Sequence, residues 1–311
     1  MLKRESFKVA IIGLGRVGVT TAYALLLKGL TTELVLFSRE LAKAEGEKAD
    51  LEHGQPFYPH TTITATSNYE DLAGTDLVIF TAGSSQKPGQ TRLDLIKGNC
   101  DIVGSILPKV VKHAPHTLIL MVANPLDIMT LQATKVAKLP PGRVFGSGTL
   151  LDTARFRLHL SKSISVNPTS IHTYVLGEHG DSSFAPVSMA TIGGKPLISF
   201  PEMSPEHISW ALDQTRKDAY KIISEKGATY YGIATALTHI VECIAHDSKK
   251  IMPLSTVLNG EYGLKDVALS LPCILGRNGV ETVIDLPLSL DEQASLQSSA
   301  TTLKSHLDEI K

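Results

Sequence analysis

The chain has 311 residues, of which 43% are hydrophobic and 20% charged, so it can form one large domain or two ordinary ones. Its formal net charge of −1 gives no basic surface for nucleic acid or an anionic membrane, and no apolar run is long enough to cross a bilayer. Cys100, Cys243 and Cys273 lack the spacing of a metal site or a disulfide framework. With only six residues before the first strand-like run, we predict a cytoplasmic protein with no metal and no nucleic-acid or membrane partner.

Strand-like and helix-like segments alternate along the first half of the chain. Apolar, β-rich runs predict four strands, and a helical stretch at residues 19–29 follows the first of them. Such alternation predicts an α/β fold built on a doubly wound parallel sheet. The four predicted strands lie at residues 7–12, 33–37, 76–81 and 117–122.

The pattern changes after about Gly146, which predicts a second, α+β domain. Residues 170–176 alternate like a strand, and Ser289 and Glu292 have the spacing of a capping box before the last helix. We therefore predict a dinucleotide-binding domain at residues 1–146 and a catalytic domain at residues 147–311, with a cleft between them. The helices of the second domain are predicted at residues 147–161, 206–226, 229–246 and 290–310.

A glycine-rich turn joins the first strand to the first helix. Gly13, Gly15 and Gly18 have the GxGxxG spacing that allows a tight turn, close approach of a pyrophosphate and close packing of helix on strand. The helix N-terminus supplies N–H groups and a favourable dipole to the phosphates. This context predicts a Rossmann-type domain that binds a dinucleotide, with Val17 also at the cofactor.

The end of the second strand departs from the usual NAD pattern. An acidic residue normally stands there to bind the ribose 2′-hydroxyl, whereas this chain has Ser38 followed by Arg39. A serine does not repel a 2′-phosphate, and an arginine can pair with one. Arg39 as an ordinary solvated charge is an equally good interpretation, so both NAD and NADP remain open.

Two loops after predicted strands carry polar side chains. The loop at residues 82–92 has glycines near both ends, including Gly83, and can close over a substrate to bring Gln86 and Arg92 inward. Asn124 follows the fourth strand, where doubly wound sheets place ligands. Taken singly, these features are equally typical of a surface loop and an Asn-Pro turn.

The second half contributes a histidine and an ion pair. Asp152 and Arg155 are three residues apart and share a helix face, and His179 lies in a glycine-flanked turn after a strand. Each alone is typical of a structural residue. Together with Arg92 they would complete a site for hydride transfer.

The chain resembles the L-lactate/malate dehydrogenase family over essentially its whole length, and most closely its bacterial lactate dehydrogenase branch. The segments that carry the resemblance are GLGRVG, QKPGQTRLDL, VANPLD, GSGTLLDTARFR, YVLGEHGDS, KGATYYGIA and LPCILGRNGV. The resemblance implies a nicotinamide cofactor and a small 2-hydroxy acid substrate. It makes His179 the acid–base and Asp152 the acceptor of its second ring N–H, while Arg155 binds the substrate carboxylate and Arg92 polarises the carbonyl. It also implies that Asn124 and Thr229 line the site.

Position 86 resembles the family's substrate discriminator. Glutamine suits the neutral methyl group of pyruvate, whereas a malate enzyme is expected to carry arginine for the second carboxylate. Gln86 therefore favours lactate, while a malate or hydroxyisocaproate type of enzyme remains an alternative. Two other classes are a nicotinamide-dependent glycosidase, which needs a metal held by Cys and His, and a non-catalytic dinucleotide-binding protein.

Arg157 and His172 resemble the fructose 1,6-bisphosphate site of allosteric bacterial lactate dehydrogenases. Arg157 lies roughly 200° around the helix from Arg155, so it points away from the substrate carboxylate. The family resemblance implies a homotetramer, in which two subunits bring both residues around one effector. A solvated arginine and an ordinary strand histidine are the alternative interpretation of each residue.

Overall fold

The computed structural model describes residues 6–84 and 92–308, Arg92 by its backbone alone, and its central feature is a nine-stranded sheet. Six neighbouring strands are parallel: β1 (Lys8–Ile12), β2 (Glu33–Phe37), β3 (Thr62–Thr66), β4 (Leu77–Phe80), β5 (Leu118–Met121) and β6 (Val144–Gly146). Their order, β3-β2-β1-β4-β5-β6, is that of the Rossmann fold, so the predicted fold class is confirmed.

Helices cover both faces of these strands. The first four helices are α1 (Arg16–Lys28), α2 (Leu41–His53), α3 (Arg92–His113) and α4 (Leu126–Ala137). Almost all residues of four strands, β1, β2, β4 and β5, are apolar and buried. This is typical of parallel strands that lie between two layers of helices. The carboxyl ends of these strands therefore form one rigid edge on which side chains can be placed precisely.

The second half of the chain, as far as residue 308, adds four α-helices, a small antiparallel sheet and an antiparallel extension of the main sheet. The helices are α5 (Leu150–Ile164), α6 (Pro205–Lys226), α7 (Tyr231–Ala245) and α8 (Leu290–Asp308). Strands β7 (Ile171–His172), β8 (Thr191–Ile192) and β9 (Lys195–Pro196) form a small separate sheet. Strands β10 (Lys250–Asn259), β11 (Lys265–Gly276) and β12 (Gly279–Val283) extend the main sheet, because Ser255 of β10 pairs antiparallel with Gly146 of β6.

The capping box predicted before the last helix is present. The Glu292 backbone N–H donates to Ser289 Oγ over 3.3 Å, and the Ser289 N–H donates to a Glu292 carboxylate oxygen over 2.9 Å. Each side chain thus satisfies a backbone group of the other residue, which fixes where α8 begins. Across residues 6–84 and 92–308, no helix combines the length and apolarity needed to cross a membrane.

Two strand predictions are wrong in detail. The runs at residues 76–81 and 117–122 are the fourth and fifth strands, because β3 was not predicted. Threonine favours strands, but the sequence TITAT has only two apolar residues and so lacks the apolar run by which the other strands were recognised. The prediction of a strand over residues 170–176 fails beyond His172. The backbone there bonds to α5 instead: Val175 N–H donates to Thr153 Oγ, and Thr149 Oγ donates to the Val175 carbonyl.

Candidate active site

The glycine-rich turn after β1 has the geometry that its sequence predicts. Gly13 has φ of 107°, and a Cβ there would lie 2.5 Å from the backbone nitrogen of Ala82. A Cβ on Gly18 would lie 2.1 Å from the Gly13 carbonyl oxygen, so this position needs glycine for α1 to pack on the turn. Gly15, in contrast, has open space where a Cβ would stand.

The beginning of α1 suits a bound phosphate group. Gly15 is the N-cap and offers no side-chain hydrogen bond, and the first turn contains no acidic residue. The first N–H groups of a helix need acceptors, which an anion can supply. Gly13, Gly15, Ser38, Arg39 and Gly83 line the cleft at this point, so the residues present fit a dinucleotide cofactor.

Basic side chains surround the far end of this cleft. Lys43 lines it together with Ser38 and Arg39, and Glu40 is the acidic residue beside them. The Ser38 hydroxyl accepts the Glu40 backbone N–H over 3.1 Å. An adjoining cavity is lined by Arg39, Tyr69 and Lys109, with Lys109 Nζ 5.4 Å from the centre of the Tyr69 ring. Three cations thus lie close to the place where the second strand ends.

A buried amide on α3 connects the ends of β4 and β5. Asn99, 1% exposed, accepts the Ser84 N–H with Oδ1 over 2.8 Å. Its Nδ2 donates to the carbonyls of Ser84 and Asn124, at 3.2 and 2.7 Å. Asn99 therefore fixes the backbone beside Gly83 and Asn124, a role that no local motif in the sequence indicates.

Three charged side chains meet between α5 and the loop that follows β7. Asp152 Oδ2 lies 2.7 Å from His179 Nδ1, and Asp152 Oδ1 accepts a hydrogen bond from Arg155 Nη1 over 3.0 Å. The carboxylate thus uses one oxygen for each partner. The side chains of Asp152 and Arg155 are 13% and 12% exposed, whereas that of His179 is 27% exposed and keeps access to solvent.

This arrangement determines the protonation states. Burial by itself would lower the pKa of His179, but the charge and hydrogen bond of Asp152, with help from Asp127, raise it to about 9. Burial would raise the pKa of Asp152, but His179 and Arg155 together hold it below its ordinary value. At neutral pH the histidine is therefore an imidazolium, able to give a proton to a group bound beside it.

A cavity of about 300 Å³ lies in front of these charges. It brings together residues from both halves of the chain, including Val17, Asn124, Arg155, His179 and Thr229. Val17 lies in the first turn of α1, two residues after Gly15, and Arg155 lies on α5. The cavity therefore begins close to the cleft that fits a dinucleotide.

A second buried carboxylate, Asp127, contacts His179 from the other side. It is 3% exposed, and its Oδ2 accepts the His179 backbone N–H over 2.7 Å. Its Oδ1 accepts the Ser255 hydroxyl over 2.6 Å. From the sequence we assigned Asp127 no role. The only local indication of one is that Asp127 is an acid within the apolar run that follows Asn124-Pro125.

The other predicted residues either lie away from this cavity or are not among the residues that the structure describes. Gln86 and the side chain of Arg92 lie outside the described residues; Arg92 is the first residue of α3. Arg157 donates from Nε and Nη2 to the Thr173 carbonyl, at 3.0 and 2.6 Å. His172 is exposed on β7, next in sequence to Thr173, so the two residues of the predicted effector site are neighbours. No group of three or more potential metal ligands occurs among residues 6–84 and 92–308.

Both halves of the chain match one protein family. Residues 7–146 match the family described as lactate/malate dehydrogenase, NAD binding domain, and residues 149–311 match its alpha/beta C-terminal domain. L-lactate dehydrogenase 1 of Clostridium acetobutylicum is 43% identical, covering 99% of each chain. L-lactate dehydrogenase of Moorella thermoacetica is 47% identical over 96% of this chain and 95% of its own.

A solved structure is also similar along the whole chain. The minor L-lactate dehydrogenase from Enterococcus mundtii, in its ligand-bound form, superposes with a TM-score of 0.94. It is 40% identical and covers 98% of this chain and 99% of its own. Fold, site and similarity agree, and the chain belongs to the lactate/malate dehydrogenase family, with an NAD-binding domain in its N-terminal half.

Proposed function

We propose that this protein is an L-lactate dehydrogenase that interconverts pyruvate and L-lactate with NAD. The observation that carries the proposal is the single carboxylate of Asp152 bonded to both His179 and Arg155 at the wall of one cavity. Family membership supports the nicotinamide cofactor, and the names of the relatives support lactate.

His179 is proposed as the acid–base. With a pKa of about 9 it is protonated at neutral pH, and it gives its Nε2 proton to the oxygen of the 2-oxo group as that carbonyl is reduced. Asp152 accepts from Nδ1, which orients the ring and stabilises its charge. In the reverse direction the neutral imidazole takes the hydroxyl proton of lactate, so one residue serves both directions.

Arg155 is proposed to bind the substrate carboxylate. Its planar guanidinium can pair with both carboxylate oxygens, which sets the face of the substrate carbonyl that meets the cofactor. Arg92 is expected to stabilise charge on the carbonyl oxygen, while Asn124 and Thr229 line the cavity.

NAD is proposed to lie along the glycine-rich turn. Bound NADH supplies the hydride for reduction. The proposed cofactor residues are Gly13, Gly15, Val17, Gly18, Ser38, Arg39, Gly83 and Asn124, all within the proposed dinucleotide-binding domain at residues 1–146. The catalytic domain is proposed at residues 147–311, although β10–β12 of that half extend the same sheet.

We propose a homotetramer that works in the cytoplasm, in pyruvate metabolism of the glycolytic and fermentative kind. Large apolar side chains stand on the surface of the single chain, Phe57 at 87% and Tyr231 at 64% exposure, and such side chains suit contacts between subunits. The three cysteines are unpaired thiols, which suits a reducing compartment.

Fructose 1,6-bisphosphate is the proposed effector, bound by Arg157 and His172. The bonds of Arg157 to the carbonyl of Thr173, the residue after His172, support a site in which each subunit offers both side chains to one effector. Arg157 and Arg155 stand on the same helix, α5. Binding at one residue can therefore affect the position of the other.

Substrate choice tests the lactate assignment. We expect NADH oxidation to be fastest with pyruvate when pyruvate, oxaloacetate and 2-oxoisocaproate are compared as kcat/KM. Gln86→Arg should raise the oxaloacetate-to-pyruvate ratio by about 10- to 100-fold, because a charged hydrogen bond to the second carboxylate contributes roughly 1.5–3 kcal/mol. An unchanged ratio would show that Gln86 is not the discriminator, and a wild type that prefers oxaloacetate would contradict lactate as the substrate.

Cofactor choice tests the role of Ser38 and Arg39. We expect measurable turnover with NADPH, because Ser38 stands where an acidic residue would repel the 2′-phosphate. In addition, three basic side chains line the cleft or the adjoining cavity: Arg39, Lys43 and Lys109. Ser38→Asp should lower kcat/KM for NADPH at least about fivefold, since one like-charge contact costs ~1 kcal/mol or more. The NADH value should change little, and Ser38→Ala is the matched control without charge. If Ser38→Asp lowered kcat/KM equally with NADPH and NADH, the substitution would be disturbing the structure and not the choice of cofactor.

The effector proposal is tested by saturation curves for pyruvate. Fructose 1,6-bisphosphate should lower the apparent KM by about 5-fold or more, within the usual range of allosteric coupling. The response should weaken at high salt, because salt screens the charges of the effector and of its site. Arg157→Gln should lose the response and keep basal turnover, whereas Arg155→Gln should lose ~100-fold or more of turnover. Superimposed wild-type curves at low salt and acidic pH would refute the effector site.

A further inference from the structure

The buried carboxylate of Asp127 belongs to neither the cofactor nor the substrate part of the proposed mechanism. Asp127 is the second residue of α4, close behind Asn124, which lines the substrate cavity. A charged group that is 3% exposed is costly unless it has strong partners. Each of its oxygens has one: the His179 backbone N–H and the Ser255 hydroxyl.

The bond to His179 acts on the main chain of that residue and not on its ring. At 2.7 Å it has the length of a charge-assisted hydrogen bond. The loop around His179 is also anchored by the backbone pairs Gly177–Ser270 and Leu176–Phe184 and by the bond from the Glu178 N–H to Ser299 Oγ. These bonds act on neighbouring residues, whereas Asp127 holds the His179 backbone itself and Asp152 holds its ring.

Ser255 connects Asp127 to the main sheet. It lies in β10 at the point where that strand pairs with Gly146 of β6. Its side chain is fully buried and donates to Asp127. The carboxylate therefore joins three parts of the fold: the first turn of α4, the loop that carries His179 and the sheet.

We propose that Asp127 is a positioning residue for His179, fixing its main chain from the beginning of α4 and placing a second negative charge near the imidazolium. The proposal rests on the acid–base role proposed for His179. Asn124 precedes Asp127 by three residues, so the same turn sets the relative positions of Asn124 and His179. A carboxylate serves better than an amide here, because only the charged form both accepts the N–H bond strongly and favours the imidazolium.

The surroundings of Asp127 set the pH range in which its carboxylate is charged and can position His179. Burial raises the pKa of Asp127 to about 6, although the bonds from Ser255 and His179 oppose the rise and Glu178 adds to it. His179 faces Asp127, Asp152 and Arg155. Asp127 is therefore ionised at pH 7–8, and it becomes neutral only as the pH falls through about 6.

The test uses the backbone amide of His179, which reports the bond without any substrate. In selectively ¹⁵N-histidine-labelled wild type, with His179→Gln for assignment, the amide proton of His179 should shift as pH falls through about 6. Asp127→Asn keeps the size and an acceptor but loses the charge, so at pH 8 the same resonance should lie upfield. Ser255→Ala is the matched control, because it removes the other partner and leaves the N–H bond and the charge in place.

Kinetics give the second readout. Asp127→Asn should move the basic limb of the kcat/KM profile for pyruvate reduction to lower pH by about 0.5 unit or more, while Ser255→Ala should not. A wild-type amide resonance that is constant between pH 5 and 8 overturns the proposal even if the Asn variant does not fold. So does a folded Asn variant with unchanged resonance and basic limb. A wild type that reduces no 2-oxo acid would instead refute the proposed function, and the amide data would still decide the role of Asp127.

Discussion

The hydrogen bond between Asp152 and His179 is the interaction on which the rest of the site depends. It connects α5 to the loop after β7 over 2.7 Å, and the same carboxylate holds Arg155. A buried carboxylate without these partners would be unfavourable, and the pKa of His179 would be lower without the carboxylate. One ionised side chain thus keeps the proposed proton donor charged and holds the guanidinium proposed to bind the substrate carboxylate.

The main sheet makes that arrangement precise. Strand ends β1, β4 and β5 position the glycine-rich turn, Gly83 and Asn124 along one edge, and the buried amide of Asn99 bonds two of these ends together. The hairpin of β10 and β11 continues the sheet to the loop that carries His179, where Ser270 pairs with Gly177. The residues proposed to bind cofactor and substrate therefore stand on one continuous framework, although they are far apart in sequence.

The sequence predicted those features that depend on residues close together in the chain, and missed those that depend on distant contacts. The glycine-rich turn was recognisable because its spacing is a local backbone requirement, and the capping box of α8 for the same reason. The pairing of His179 with Asp152, 27 residues earlier, followed only from the family resemblance. Asp127 was missed because its partners lie 52 and 128 residues away, and an acid within an apolar run does not by itself identify them. The strand predicted after His172 failed because side chains of α5 take its backbone bonds.

The pKa of the His179 ring shows whether Asp152 keeps the imidazolium charged. The measurement is an NMR titration of the His179 ring in the wild type and in Asp152→Asn, without substrate. We expect a pKa of about 9 in the wild type. In the variant the pKa should fall by about 1–3 pH units, since the amide keeps the shape but not the charge. A wild-type pKa at or below the ordinary histidine value of about 6.5, or one unchanged in Asp152→Asn, would contradict this role of Asp152.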